Sequence, residues 1–264
     1  WREERLERCV LAEADRIVVA SPSWVDPLCQ RYGEVLRRKM VWIPNGFDEA
    51  KMPGGLGPTK RNERLRVVYT GAMYASESPR PFLEALGRLK AEWPELVATV
   101  EIRLTGYADA EERAAMKAVI ARYELEETVH FLGTQSHGRC LAEQREADVL
   151  LLLSGDQHQG TIRGKSFEYL QEGKPILALV PEEGVQADLL RRSGLAWIVS
   201  HGNVAGIQSL LGRLLAEPGQ LRSTQPNWGF IQQFSRRRLT ADLSDVLEQA
   251  GSSAFSPALG RNFL

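Results

Sequence analysis

The segment Gly160-Thr161-Ile162-Arg163-Gly164-Lys165-Ser166-Phe167-Glu168-Tyr169-Leu170 holds the groups best suited to grip an anion and a polyol together. A helix beginning near Gly164 would present free N–H groups and the positive end of its dipole, which suit a phosphate. Lys165 adds a positive charge there. Glu168 lies one turn further on, where neighbours three and four apart share a face. A carboxylate at that place can accept hydrogen bonds from two vicinal hydroxyls, as a ribose presents; the alternative is a surface helix carboxylate in a structural pairing. Gly164-Lys165-Ser166 has the look of a Walker A loop, but GxxxxGK[ST] requires Gly at position 159, which is Gln159. The turn also follows the fourth strand of its run rather than the first, so a P-loop NTPase is rejected. Phe167 and Leu170 are expected to pack against a sheet.

Such a turn has to be carried by strands and helices, and the sequence supplies them in alternation. Short apolar runs at Leu65–Thr70, Val100–Thr105, 128–132, Val149–Leu153, 175–180 and 196–200 are continuous rather than alternating. That is the pattern of parallel strands covered on both faces. Amphipathic stretches at 81–90, 110–123, 139–146, 184–192 and 205–215 lie between and after them. Six strands with five crossover helices predict one doubly wound, Rossmann-like parallel sheet. Earlier runs at 17–20 and 41–43 belong to a separate fragment. Residues 51–60, rich in Gly and Pro, mark a linker or hinge. A last helix is expected near 236–250, after an irregular stretch containing Pro226-Asn227-Trp228-Gly229, followed by a loose tail.

In an open parallel sheet, ligands bind at the carboxyl ends of the strands. Four successive strands end in or near glycine: Gly71, Gly106, Gly133 (followed by Thr134) and Gly155. Singly each is a tight turn, but jointly they favour a groove that a ligand can approach.

The bulk features narrow the class. At roughly 150 residues per domain, 264 residues make about 1.8 domains. Apolar residues are 43% and charged residues 25%, as in globular chains. The net charge of −1 gives no support to a nucleic-acid partner. Cys9, Cys29 and Cys140 are scattered and odd in number, which predicts reduced thiols and a cytoplasmic chain rather than a disulfide framework. The four histidines form no HxxxH or HExxH, so no metal is expected. The longest apolar run, Val149–Leu153, is far short of a membrane span. The chain opens at Trp1 directly into a helical pattern, which reads as a cut from something longer.

Several motifs together resemble the carboxyl-terminal half of retaining GT-B glycosyltransferases of the glycosyl transferases group 1, or GT4, family. Ile43-Pro44-Asn45-Gly46-Phe47-Asp48 is similar to that family's IPNG(V/F)D signature. Tyr69-Thr70-Gly71, Leu104-Thr105-Gly106 and Phe131-Leu132-Gly133 resemble its strand-end glycine motifs. Lys165-Ser166-Phe167-Glu168-Tyr169-Leu170 with Gly173-Lys174-Pro175 is similar to its KxFEYLAxGKP signature. The resemblance implies a GT-B carboxyl-terminal domain with a remnant of the amino-terminal domain. Residues 1–48 would close the acceptor domain, 49–64 would be the interdomain linker, 65–235 the donor-binding domain, and 236–264 a return helix and tail.

It further implies transfer of a hexosyl group from a nucleotide-diphosphate sugar, a co-substrate rather than a cofactor, with no metal. Glu168 would hold the ribose hydroxyls and the amides near Gly164 and Lys165 the diphosphate. Gly71 would leave room for phosphate or sugar, Gly106 would belong to the same nucleotide-sugar groove, and Gly133 and Thr134 would border the base. The acceptor is left open among glycan, lipid and small molecule, and any peripheral membrane contact is placed in the missing half. Two departures stand out. The family's first acidic residue, eight positions before the helix Glu, is Gly160 here. Its basic residue after the first glycine loop is replaced by a run in which Glu77 would repel phosphate and only Arg80 is basic. Arg80, Asp156, Gly160 and Thr161 are therefore candidate sugar or phosphate contacts, and no residue is assigned as catalytic. The alternatives are a nucleotide-sugar epimerase of GT-B fold, or a non-catalytic sugar-nucleotide-binding or interaction module.

Overall fold

The computed structural model describes residues 2–49, 63–158 and 160–251. Strands β1 (Ile17–Val19) and β2 (Met40–Trp42) pair in parallel, Ile17 opposite Met40. Six further strands form one sheet: β3 (Leu65–Thr70), β4 (Val100–Thr105), β5 (Val129–Gly133), β6 (Val149–Leu153), β7 (Ile176–Leu179) and β8 (Ala196–Val199). Every pairing in it is parallel, and the order is β5-β4-β3-β6-β7-β8. This bears out the doubly wound sheet expected from the apolar runs.

The helices follow in chain order. They are α1 (Arg2–Glu13), α2 (Val25–Tyr32), α3 (Arg80–Glu92), α4 (Pro94–Val97), α5 (Ala110–Arg122) and α6 (His137–Glu146). Then come α7 (Gly164–Glu172), α8 (Val185–Ser193), α9 (Val204–Ala216), α10 (Gly219–Arg222), α11 (Trp228–Ile231) and α12 (Arg236–Gly251). Alternate strand residues divide between two cores, as strand geometry requires. Val67, Tyr69, Ile102, Leu151 and Leu177 pack with Phe82 and Leu86 of α3, Met116 of α5 and Leu211 of α9. Val68, Leu150, Leu152 and Ile176 pack with Phe167 and Leu170 of α7 and Leu189 and Leu190 of α8. Burial on both faces explains why these strands read as unbroken apolar runs.

The second core also takes in Val19, Trp42 and Phe47 from the first 49 residues, and Phe230 and Phe234 from the region after α9. Phe47 N–H donates to the Phe234 carbonyl at 3.1 Å, and Arg236 N–H donates to the Phe47 carbonyl at 2.8 Å. A β-carbon on Gly46 would lie 2.3 Å from the Phe234 carbonyl oxygen, so the two backbones meet only because this residue is glycine. Phe234 also packs against Phe167, ring centroids 5.2 Å apart.

Where the sequence suggested an irregular stretch around Pro226 and Gly229, the chain forms the short helix α11. Asn227 caps it, its Oδ1 accepting from the Phe230 N–H at 3.2 Å. The cap outweighs the local Pro and Gly. The linker expected over 49–64 and the tail expected over 251–264 fall largely outside the described residues. Among the described residues no helix is long and apolar enough to cross a membrane.

Candidate functional site

Strands β3 and β6 are neighbours for only two residue pairs, Val67 with Val149 and Val68 with Leu150, and then part. The strand order reverses here, and a parted pair at such a switch point leaves a crevice at the carboxyl edge. The parting would strand the Thr70 N–H. Tyr169, fully buried on α7, places its hydroxyl oxygen 3.1 Å from that N–H and accepts its hydrogen bond. Burial holds the phenol well above its usual titration range, so it stays neutral in this role. Tyr169 thereby fixes α7 against the end of β3.

Beyond the strands the backbones stay in close contact. Gly71 N–H donates to the Thr105 carbonyl and Gly106 N–H to the Gly133 carbonyl, each at 2.8 Å. Gly71 and Gly106 have φ of +144° and +145°, a region open to glycine and strained for other residues. A β-carbon on Gly106 would lie 1.8 Å from the Gly71 carbonyl oxygen, and one on Gly71 would lie 2.1 Å from Lys165 Nζ. Gly133 (φ +67°) and Gly164 have open space where a β-carbon would go. Exposed Thr134 follows Gly133.

Lys165, in the first turn of α7, lays its ammonium over the Tyr69 ring, 3.8 Å from the centroid. Desolvation lowers its pKa from the ordinary lysine value to about 8; the carboxylates of Glu77 and Glu168 oppose that shift, and Arg163 adds to it. Glu168 is half-buried one turn along and makes no hydrogen bond or ion pair with a described residue. Cys140 of α6 lies close enough to feel the Glu168 charge; burial foremost, then Glu168, pushes its thiol pKa up. Helix α6 is seated largely by polar contacts. Gln144 donates to Thr70 Oγ1 at 2.8 Å, and fully buried Glu143 pairs with Arg103 at 3.0 Å and Arg139 at 2.8 Å.

The structure brings Gly71, Gly106, Gly133, Gly164, Lys165 and Glu168 to one edge. Arg80 is held elsewhere: its guanidinium sits 3.3 Å from buried Glu112 and its Nε donates to Ser78 Oγ at 3.0 Å. Gly160 faces the first segment, its carbonyl accepting from Ser21 Oγ at 2.8 Å and also from Ser23 Oγ. Thr161 is half-buried, its N–H donating to the His158 carbonyl at 3.0 Å. Asp156 opens a short turn, Asp156–His158.

Glu77, expected to repel phosphate, is instead paired at 2.6 Å with a residue for which the sequence suggests no role, Arg163. Its position immediately before Gly164, at the cap of α7, was the available signal. A shallow cavity of about 450 Å³, lined by Tyr74, Ser76, Gly155, Gln157 and His201, opens on the same edge. Another, of about 510 Å³ and lined by residues such as Leu65, Thr99, Asp148 and Pro175, opens at the amino ends of the strands, away from these groups.

No family model matches the chain. A curated relative, D-inositol 3-phosphate glycosyltransferase of Geodermatophilus obscurus, is 26% identical over 182 residues, which is 65% of this chain and 39% of the relative. The chain thus spans about two fifths of that relative's length. Among solved structures, Anabaena HepE in complex with UDP and glucose superposes with a TM-score of 0.73 at 15% identity, covering 93% of this chain and 66% of that one. Sucrose-phosphate synthase of Thermosynechococcus elongatus gives 0.70 at 19% identity, covering 96% and 63%. At these identities the structural likeness establishes the fold: this chain shares the α/β architecture of HepE and sucrose-phosphate synthase over most of its length.

Proposed function

We propose that the chain is the donor-binding half of a retaining, GT4-type glycosyltransferase that moves a hexosyl group from a nucleotide-diphosphate sugar to an acceptor. One observation carries this reading. The free carboxylate of Glu168 and the ammonium of Lys165 lie on the first turns of one helix, at the switch point, above backbones that only glycine lets approach so closely. A carboxylate to accept from ribose hydroxyls and a cation with free helix N–H groups to meet a diphosphate are the two halves of nucleotide-diphosphate recognition. The curated relative is a glycosyltransferase by name, and HepE is a neighbour whose structure holds UDP and glucose.

Catalysis on this reading is electrostatic. Lys165 and the α7 amides hold the charge that develops on the departing diphosphate as the glycosidic bond breaks. The residues serve that role without a metal or an organic cofactor. Residues 1–48 would close an acceptor domain, 49–64 link it to the donor domain at 65–235, and 236–264 return toward it. The contacts of Phe47 with Phe234 and Arg236 support that return path. The chain alone would bind nucleotide yet transfer sugar poorly, and in the cell it would work in the cytoplasm.

Calorimetric titration with UDP, GDP and ADP tests the reading. Binding of at least one is expected, weakened about tenfold or more by Glu168→Ala, the loss of a charge-assisted hydrogen-bond acceptor. Affinity indifferent to that change removes the ribose role. Absence of binding to all three favours a second reading, a non-catalytic interaction module. Its motivation is Gly160, which stands where a carboxylate would face the sugar and whose carbonyl is taken up by Ser21 and Ser23.

A further inference from the structure

The carboxyl edge carries a charge arrangement that neither the strand-end glycines nor Glu168 explains. Arg163 stands at the N-terminal boundary of α7 and is held from three sides. Its N–H donates to Oε1 of buried Gln186 at 2.9 Å, its Nε donates to Ser154 Oγ at 3.4 Å, and its Nη2 lies 2.6 Å from Glu77 Oε1. Glu77 reaches it from the loop after β3, across the parting of β3 and β6. The Ser76 carbonyl accepts from the Gly155 N–H at 2.7 Å and so ties the two loops together beside the pair. The same Glu77 is the first of the charges that favour the ammonium of Lys165. Arg163 and Lys165 therefore form one positive pair, two residues apart on the rim of the crevice. Glu77 and Glu168 bring the cluster to zero, since two positive charges meet two negative ones.

A neutral cluster is a poor receptor for a diphosphate unless one of its own anions gives way. Glu168 is needed for hydroxyls if the proposed function holds. Among the described residues Glu77 pairs with Arg163 alone, and it ends a short 3-10 turn, Ala75–Glu77, after β3. Both side chains are partly exposed, 26% for Arg163 and 16% for Glu77, while the paired Nη2 itself is buried against Glu77.

We propose that Arg163 joins Lys165 as the cation pair for the diphosphate, and that Glu77 is an internal anion that neutralises the pair and yields to the incoming phosphates. The inference rests on the donor-binding reading above. A planar guanidinium matches two phosphate oxygens at once, whereas an ammonium acts as a point charge. Arg163 thus supplies direction and Lys165 supplies charge. Glu77 holds the guanidinium in place before binding and sets the affinity, because the ligand must displace it.

Calorimetry on the full chain, with the diphosphate among UDP, GDP and ADP that binds and with its parent nucleoside, tests the assignment. Arg163→Ala is expected to weaken the diphosphate about tenfold or more while leaving the nucleoside unchanged, the loss of a charge-assisted contact. Arg163→Lys, which keeps the charge, should recover part of that loss. Glu77→Gln should tighten the diphosphate severalfold, again without moving the nucleoside. Unchanged diphosphate affinity in Arg163→Ala overturns the proposal, as does an equal loss for diphosphate and nucleoside, which would mark a structural role. Weaker diphosphate binding in Glu77→Gln overturns the part given to Glu77. Binding that depends on Glu168 but not on Arg163 sinks this inference alone, whereas no binding of any diphosphate to the unaltered chain sinks the donor-binding reading with it.

Discussion

Lys165 shows how one side chain ties stability to binding. Its ammonium is partly withdrawn from water, and its pKa falls to about 8 against an unfolded value near 10.5. Between those values the unfolded chain binds one proton more than the folded chain, so folding stability rises with pH through that window. At neutral pH the folded protein bears the cost of a desolvated charge. Lys165→Met should therefore stabilise the fold at pH 7 by about 1–2 kcal/mol, less than the roughly 3 kcal/mol of the full shift because the group keeps some solvent. The same change should weaken a nucleotide diphosphate. Binding should favour the protonated amine, so affinity holds below pH 8 and falls above it. Thermal melts and titrations at pH 7 and 9.5 check both signs. A destabilised variant, or an affinity flat across that range, contradicts the role given to the ammonium.

At the scale of the element, the site depends on how closely strand ends approach. Gly106→Ala would force a β-carbon to within 1.8 Å of the Gly71 carbonyl oxygen at φ +145°. Either β4 or the turn after β3 must move, at a cost of about 2 kcal/mol or more for the strain alone. The expected result is a clear drop in melting temperature together with loss of nucleotide binding; a variant as stable as the parent shows that the contact does not hold the edge. The strands themselves were legible because burial on both faces writes itself as unbroken apolar runs. The glycines at their ends were legible as turns. Their mutual contact was not, because Gly71 and Gly106 meet only once β3 and β4 pair in register. Likewise Arg163 was visible as a letter, but Glu77 lies far away in sequence, and nothing local predicts that the β3 loop crosses to it. Phe167 read as a packing residue, and Tyr169 only as a letter of the FEYL motif. Only the structure shows that one seats Phe234 and the other accepts the N–H of Thr70 left by the parted strands.

At the scale of the molecule, the first 49 residues and the stretch after α9 are not appendages. They share the second core with the sheet, and Gly46 lets their backbones meet. The IPNG(V/F)D and FEYL resemblances therefore mark one connected seam on the α7 side, while the glycines mark the edge proposed for the ligand. A cavity of comparable size lies at the opposite edge, and placing the ligand by volume would put it there; placing it by chemistry puts it at the switch point. Amide-resolved NMR during titration with UDP, GDP and ADP separates the two most directly. The account predicts that one diphosphate shifts the amides of Gly71, Gly106, Gly164 and Lys165 in a saturable way and leaves those of Leu65 and Thr99 in place. Saturable shifts confined to Leu65, Thr99 and Asp148, or none with any of the three, would contradict it.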